Sequence, residues 1–151
     1  MIKRTAFLFT CILAIAPAAY AEDGLSVYNS NCSVCHQAGG IGSPGQFPSL
    51  TGRVGKIAAS PEGKTYIADV LLNGLHGAIQ VSGASYMGFM PSFKALSDDQ
   101  IAAVLSYVSS LNTPGAPAFT ADDIKTARAT PKKAKDLIAE RKALDAAHPL
   151  P

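Results

Sequence analysis

Apolar residues recur at intervals of three and four along several stretches of the chain, which is the spacing that places them on one face of an α-helix. Leu25 and Tyr28 belong to such a stretch and predict a short helix over 24–36. Another stretch begins after Ser60, whose hydroxyl is suited to cap a helix with proline at its first position. Its pattern ends near Asn73-Gly74, and its apolar face comprises Tyr66, Ile67, Val70 and Leu71.

The strongest helical pattern follows Ser97. Gln100 lies three positions after this serine, which is the spacing of a capping box, and Asp98 and Asp99 suit the positive end of the helix dipole. Two more helices are expected in the polar segment that follows, one from Thr120 to about 130 and one from there to about 146. The helix after Ser97 is expected to reach about 112, with an apolar face of Ile101, Val104, Leu105, Val108 and Leu111.

The intervening segments lack a helical pattern. Residues 37–56 are rich in glycine, proline and serine and predict a long ordered loop, of the kind that usually wraps a functional group. Residues 78–81 and 83–86 can form a short hairpin across Ser82-Gly83. Because no strand pattern is strong enough to build a sheet, the predicted fold class is all-α.

The first 21 residues have the features of a secretory signal peptide. Lys3 and Arg4 precede an apolar stretch shorter than the roughly 20 residues of a spanning helix, and Ala19-Tyr20-Ala21 provides a small-residue cleavage site. We therefore predict that residues 1–21 are removed, that the protein is periplasmic or otherwise exported, and that no membrane span remains. Retention of this segment as an anchor is the alternative. We expect the rest of the chain to form a domain over 22–113 and a C-terminal extension over 114–151.

The charge balance gives no reason to expect nucleic acid as a partner. The chain has 13 basic and 11 acidic residues, so that without Lys3 and Arg4 the mature part has 11 of each. A balanced chain has no strong field to attract a polyanion. Four lysines of the extension could form a docking face, although a solvated helix surface explains them as well: Lys125, Lys132, Lys133 and Lys135.

The most specific motif is Cys32-Ser33-Val34-Cys35-His36, a C-x-x-C-H sequence of the type at which c-type haem is attached. Two cysteines three positions apart lie on one side of a helical turn, where both thiols can add to the vinyl groups of one porphyrin. The histidine that follows can bind the iron. A disulfide or a thioredoxin-type redox pair is the alternative. His36 and the absence of an alternating strand and helix pattern in the sequence favour haem, and Cys11 falls in the signal peptide.

A second axial ligand is expected at Met90. An iron that transfers electrons without binding small molecules needs both axial positions filled, and methionine paired with histidine raises the potential of a c-type haem. Pro91 restricts the backbone beside Met90. Met87 is the competing ligand, or a side chain that fills a gap in the haem crevice. His76 and His148 are weaker candidates, one in a glycine-flanked loop and one near the terminus.

With these motifs the chain resembles the class I monohaem cytochromes c over about 24–112. The resemblance rests on the C-x-x-C-H motif, on Pro48-Ser49-Leu50, on Gly83 to Phe93 with Met90-Pro91, and on Leu96 to Val108. It implies a small helical fold wrapped round one covalent haem c and its iron, in which the first and last helices cross near the haem edge.

The resemblance also implies two contacts around the haem. The Pro48 carbonyl would accept a hydrogen bond from the second ring nitrogen of His36, which fixes the ring. Some relatives place a tryptophan at a haem propionate, and this chain has no tryptophan. Arg53, Tyr66 and Tyr86 are the candidate replacements.

The resulting interpretation is an electron carrier, not an enzyme, whose haem cycles between ferrous and ferric iron. Its partners would be redox proteins such as a dehydrogenase, a reductase or a terminal oxidase. One alternative is a haem enzyme or gas sensor with an open sixth site. The other is a tethered cytochrome subunit of a dehydrogenase or oxidase complex, docked through residues 114–151.

Overall fold

The computed structural model describes residues 23–151, so that the predicted signal peptide, residues 1–21, lies outside the described residues. The mostly helical architecture of this part confirms the predicted fold class, with one two-stranded sheet added. The elements in chain order are helices α1 (Gly24–Asn31), α2 (Ser33–His36), α3 (Val54–Ile57) and α4 (Pro61–Asn73), strands β1 (Leu75–Val81) and β2 (Ala84–Met90), and helices α5 (Asp98–Ser110), α6 (Ala121–Arg128) and α7 (Ala134–Ala147).

The predicted helix starts are confirmed by their capping contacts. Ser60 Oγ accepts a hydrogen bond from a main-chain N–H of the first turn of α4 at 3.0 Å. At the start of α5, the main-chain N–H of Gln100 donates to Ser97 Oγ, and the main-chain N–H of Ser97 donates to Gln100 Oε1, both at 3.1 Å. Thr120 and Asp123 form the same reciprocal pair at the start of α6. These contacts satisfy main-chain donors that a helix leaves free in its first turn.

The single helix expected over 24–36 is divided at Cys32. This residue has φ −114° and lies between α1 and α2, although main-chain hydrogen bonds still connect it to Tyr28 at 2.8 Å and to His36 at 2.9 Å. Gln37 has φ 63° and ends α2. The chain therefore turns away directly after His36.

The predicted hairpin across Ser82-Gly83 is present, and it is longer than the sequence indicates. Strands β1 and β2 pair antiparallel from Leu75 opposite Met90 to Val81 opposite Ala84. Ser82 and Gly83 both have positive φ, which is the geometry of a two-residue turn that matches the twist of a hairpin. The sequence signal is weak because Gly77 and Gly88 interrupt the strands, and glycine lowers strand propensity.

Helices α1 and α5 cross at close range, as the resemblance implies. A Cβ atom added to Gly24 would lie 2.3 Å from the Ala103 carbonyl oxygen, so only glycine allows this approach. The Tyr28 and Tyr107 rings, one from each helix, pack with centroids 5.4 Å apart. The main core extends from this crossing to α4 and α6, and includes Val27, Ala68, Leu71, Ile101, Val104, Leu105 and Ile124.

Gly24→Ala is expected to destabilise the protein by about 1–3 kcal/mol, because the added methyl group forces the backbones of α1 and α5 apart. Alanine has a higher helix propensity than glycine, so propensity alone would make the variant more stable. A loss of stability would therefore show that the close packing of α1 against α5 is the larger effect. Chemical denaturation of the holoprotein measures the free energy of unfolding. Ser26→Ala, at an exposed position of the same helix, is the control and should leave it nearly unchanged. Equal stabilities of the two variants would contradict the close crossing.

The segment 114–151 packs onto the rest of the chain. Helix α6 contacts α4 and α5, and α7 contacts α4 and β1. Lys64 of α4 forms an ion pair with Asp123 at 2.7 Å, and Arg128 pairs with Asp98 at 2.8 Å. A second apolar cluster, in which Leu137 of α7 is fully buried, includes Ile57, Tyr66 and Leu137. The two predicted helices of this segment are therefore present, while its status as a separate extension remains a prediction.

A buried carboxylate connects α4 to this segment. Asp69 is 1% exposed, and its Oδ2 lies 2.7 Å from Lys132 Nζ, which also contacts Glu140 Oε2 at 2.6 Å. The main-chain N–H of Lys132 donates to Asn73 Oδ1. Burial raises the pKa of Asp69, and the ammonium group of Lys132 opposes that rise. Lys132 thus takes part in internal pairing, in contrast to the exposed lysine surface that the sequence suggests.

Lys132→Met is expected to destabilise the protein by about 3 kcal/mol at pH 7, because it leaves the buried Asp69 carboxylate unpaired. The pKa of Asp69 then rises further above its unfolded value, so the folded state binds the proton more tightly. The loss should therefore shrink as the pH falls from 7 towards about 4, the pKa of an unfolded aspartate.

Thermal or chemical unfolding at several pH values measures this dependence. Lys135→Met removes the same charge from an exposed position and is the control; its effect should be small. A loss in Lys132→Met that does not change with pH would show that the Asp69 carboxylate is not its cause.

Candidate cofactor site

One apolar cleft brings together the four side chains singled out in the sequence. Its lining is almost entirely apolar and contains no Asp, Glu, Lys or Arg among the residues of 23–151 that form it. Ligand sites in proteins are typically concave and mainly apolar, with a few polar groups that fix the ligand. The cleft is therefore suited to a mainly apolar group, and its walls include Cys32, Cys35, His36, Pro48, Ile79, Tyr86, Met90 and Phe93.

His36 is held in one orientation. Its Nδ1 lies 3.0 Å from the Pro48 carbonyl oxygen, which confirms the contact that the resemblance implies. A carbonyl only accepts, so Nδ1 carries the proton and donates it. Burial of the ring lowers the pKa of His36, which favours the neutral imidazole. In that form the lone pair lies on Nε2, the nitrogen that is free to bind a metal.

The loop between His36 and Pro48 is folded tightly enough to fix this contact. The main-chain N–H of Gly42 donates to the His36 carbonyl at 2.8 Å, and the Ser43 N–H donates to the Phe47 carbonyl at 2.8 Å. Gly42 has φ +71°, and a Cβ atom there would lie 2.5 Å from the Phe47 carbonyl oxygen, so the turn requires glycine. The predicted long ordered loop is thus built to place the Pro48 carbonyl beside the ring.

The two cysteines lie on the same wall as His36. Cys32 is buried, and burial together with the neighbouring Cys35 raises the pKa of the Cys32 thiol to about 11. A thioredoxin-type pair needs a thiol whose pKa is lowered, because the thiolate is the nucleophile. The environment of Cys32 therefore argues against that alternative.

Met90 and Met87 differ in the direction that the hairpin gives them. Successive side chains of a strand point to opposite faces, so Tyr86, Gly88 and Met90 share a face, and all three line the cleft. Met90 is partly buried and packs against the main core. Met87 and Phe89 point to the other face; Phe89 also lines the cleft, whereas Met87 is 82% exposed and does not.

The end of β2 that carries Met90 is tied to α4. Gly74 has φ +77°, and a Cβ atom there would lie 2.6 Å from the Met90 main-chain oxygen. The Ser92 hydroxyl donates to the Leu72 carbonyl, and the Phe93 N–H donates to the Leu71 carbonyl at 2.9 Å. These contacts hold the segment after Met90 at a fixed distance from the helix.

The other histidines lie elsewhere. His76 stacks on Phe89 with ring centroids 4.3 Å apart and is not part of the cleft lining. His148 is exposed at the end of α7. His76 thus belongs to the hairpin that carries Met90, but neither histidine lines the cleft.

A pair of arginines stands near the cleft, and the sequence indicates only one of them. Arg53 Nε donates to the Pro151 main-chain oxygen at 2.7 Å, and Arg53 Nη1 donates to the Ser49 carbonyl at 2.8 Å. Burial and the like charge of Arg141 lower the pKa of Arg53 to about 10. Arg141 comes from α7, where nothing in the sequence connects it to the cleft.

The comparisons with known proteins agree with this site. The family model described as Cytochrome c matches residues 21–112. A cytochrome c-552 from one strain of Thermus thermophilus is 42% identical over 149 residues, covering 94% of this chain and 97% of the relative. Another cytochrome c-552 of Thermus thermophilus is 42% identical over 127 residues, covering 81% and 96%. A cytochrome c6 of Leptolyngbya boryana is 35% identical over 91 residues, covering 60% and 91%.

The fold and the cleft define a small helical haem protein of the class I monohaem type. The chain belongs to the cytochrome c family, and with that membership comes one covalently bound haem c with its iron. Its class of function is electron transport. The cytochrome c-552 that matches over 149 residues covers 94% of this chain, so the match includes most of residues 114–151. This segment is therefore shared with a relative.

Proposed function

We propose that the protein is an exported electron carrier whose haem is attached through Cys32 and Cys35 and whose iron takes His36 and Met90 as axial ligands. The observation that carries this proposal is that all four side chains line one apolar cleft, although Met90 is far from the other three in the chain. When bound, the haem supplies an iron that gains or loses one electron.

The protein residues prepare the cleft for that role. His36 keeps its Nε2 lone pair available because Nδ1 is engaged by Pro48, and such outer contacts make the ring a stronger ligand. Met90 offers a soft, neutral sulfur from a strand end fixed to α4. The apolar lining excludes water and, with a methionine ligand, favours a high reduction potential.

Arg53 and Arg141 would supply positive charge near the carboxylate side chains at the polar edge of the haem. Two partly buried guanidinium groups of like sign are costly unless an anion lies near them. The carboxylate side chains of a haem would have the required negative charge. Tyr86 lines the cleft and lies close enough to Arg53 to affect the pKa of its guanidinium group. These residues take the place of the tryptophan used by some relatives.

With both axial positions occupied by protein, the iron is closed to substrates and to small gases, which favours a carrier over a haem enzyme or a sensor. Its partners would be redox proteins such as a dehydrogenase, a reductase or a terminal oxidase. The name shared by the relatives, cytochrome c, supports a role in carrying electrons.

Met90→Ala is expected to abolish the sulfur-to-iron charge-transfer band at the red end of the ferric spectrum, lower the reduction potential and allow rapid binding of carbon monoxide to the ferrous protein, because it removes the sixth ligand. Met87→Ala is the matched control, since it removes a thioether that points away from the cleft. It should leave the band and the potential nearly unchanged.

Two results would overturn the ligand assignment. Loss of the band in Met87→Ala but not in Met90→Ala would reverse the two methionines. Rapid carbon monoxide binding by the unsubstituted ferrous protein would favour the open-site alternative.

The predicted export can be tested on the purified protein. We expect an intact mass equal to a chain that begins at Glu22 plus one whole haem, because thioether formation across a vinyl group loses no atoms. Among residues 23–151, every helix is too short or too polar to cross a bilayer. A mass that still includes residues 1–21 would mean a retained anchor, and a mass without haem and two hydrogens short would mean a disulfide between Cys32 and Cys35.

A further inference from the structure

Met90 lies opposite Leu75 in the hairpin. The two residues form the last pair of the antiparallel ladder between β1 and β2, and both line the cleft. Side chains that lie directly opposite each other in such a ladder have Cβ atoms about 4.5–5.5 Å apart, so they can pack against each other. The position of the Met90 side chain therefore depends on where Leu75 is held.

Strand β2 has little packing of its own. None of its seven residues is buried, and only Tyr86 and Met90 are partly buried. A two-stranded hairpin without further packing is marginal in water. The contacts of Ser92 and Phe93 with α4 fix the main chain just after the strand, outside the ladder. Strand β2 is therefore positioned largely through its pairing with β1.

Helix α7 holds β1 near both of its ends. Leu75 packs against the second apolar cluster, to which α7 contributes the fully buried Leu137. Towards the turn, Arg141 Nη2 donates to the Gln80 carbonyl at 2.8 Å. Among the described residues, none of those that line the cleft belongs to α7. Helix α7 is thus connected to Met90 through β1 and the ladder.

We propose that Leu137 is a positioning residue for Met90: by supporting Leu75 it keeps the Met90 thioether at the sixth position of the iron. This inference rests on the ligation by Met90 proposed above and adds the residue outside the cleft that maintains it. A thioether is an uncharged and weak acceptor. A stronger ligand can therefore replace it unless the strand that carries it is held in place.

Leu137 and Ile124 offer a matched comparison. Both are fully buried aliphatic side chains of the segment 114–151, one on α7 and the other on α6. Ile124 belongs to the main core, and α6 packs chiefly against α4 and α5. Truncation of either side chain lowers the stability of the fold. Because only Leu137 supports β1, its effect on Met90 can be measured apart from its effect on stability.

Imidazole binding to the ferric holoprotein tests the proposal, because imidazole takes the sixth position only when Met90 leaves it. The apparent affinity of such a ligand is reduced by the fraction of molecules that are open. We expect Leu137→Ala to bind imidazole at least about tenfold more tightly than the native protein. Ile124→Ala removes the same number of carbon atoms and should stay within about twofold of native. Equal tightening in the two variants would overturn the proposal.

A double variant shows whether Leu137 acts through Met90. Met90→Ala alone should bind imidazole tightly, and the addition of Leu137→Ala should tighten binding by less than about twofold more, because no ligand is left to position. A further gain of about tenfold in the double variant would show that Leu137 acts on imidazole binding by another route, and would overturn the positioning role.

Two milder substitutions keep the proposal testable if Leu137→Ala does not fold. Leu137→Val leaves a smaller cavity and should still tighten imidazole binding at least about threefold. Leu137→Met conserves the volume and should stay within about twofold of native. Native affinity in Leu137→Val, or equal tightening in Leu137→Val and Leu137→Met, would overturn the proposal.

Hydrogen exchange follows the hairpin without reference to the iron. Main-chain amides of β2 should exchange at least about tenfold faster in Leu137→Ala than in Ile124→Ala, because only the first variant loosens the ladder. Equal exchange in the two variants would overturn the support of β2 by Leu137.

The same set of variants separates this inference from the proposed function. Binding of imidazole by Met90→Ala that is as weak as in the native protein would reject Met90 as the ligand, and with it the proposed function. Tight binding by Met90→Ala together with native affinity in Leu137→Ala would reject only the role of Leu137.

Discussion

The requirement that two distant side chains, the proposed ligands His36 and Met90, reach one apolar cleft organises the rest of the structure. His36 and Met90 belong to elements that have no local contact in the chain, one at the end of a short helix and the other at the end of a strand. The hydrogen bond from His36 Nδ1 to the Pro48 carbonyl fixes the first wall of the cleft. Glycines at positions 42 and 74 allow the two close backbone approaches that keep both walls in place. The long loop and the hairpin are therefore parts of the site rather than connections.

The segment 114–151 supports the wall that carries Met90. Helix α7 packs against β1, Ile138 lies close to Gly77, and Arg141 Nη2 donates to the Gln80 carbonyl at 2.8 Å. An isolated two-stranded hairpin is marginal in water, so this backing supplies packing that the strands lack on their own. The buried ion pair between Asp69 and Lys132 fixes the same segment to α4. The stability of the hairpin thus depends on residues that the sequence shows only as a polar tail.

The features that could be predicted from the sequence are those that depend on residues close together in the chain. The capping residues Ser60, Ser97 and Thr120 locate three helix starts, and the C-x-x-C-H motif with Pro48 locates one wall of the cleft. The full hairpin was not predictable, because glycines weaken its strand pattern and its support comes from α7. The roles of Arg141 and Lys132 were not predictable either, since each depends on a contact between residues some 60 positions apart. The alternation of side chains along a strand distinguishes Met90, which lines the cleft, from Met87, but it can be applied only once β2 is known.

The distribution of charge follows from the same architecture. An apolar cofactor favours apolar walls, and the segments that form them, 24–52 and 74–93, also supply the surface around the opening of the cleft. The ion pairs that attach residues 114–151 lie instead on α4, α5 and α6. Among the described residues, the exposed side chains Val34, Met87 and Phe89 lie in these uncharged segments, whereas the ion pairs that hold the helices together involve no residue that lines the cleft. The chain thus separates the charged contacts that support its fold from the apolar segments that form its cofactor cleft.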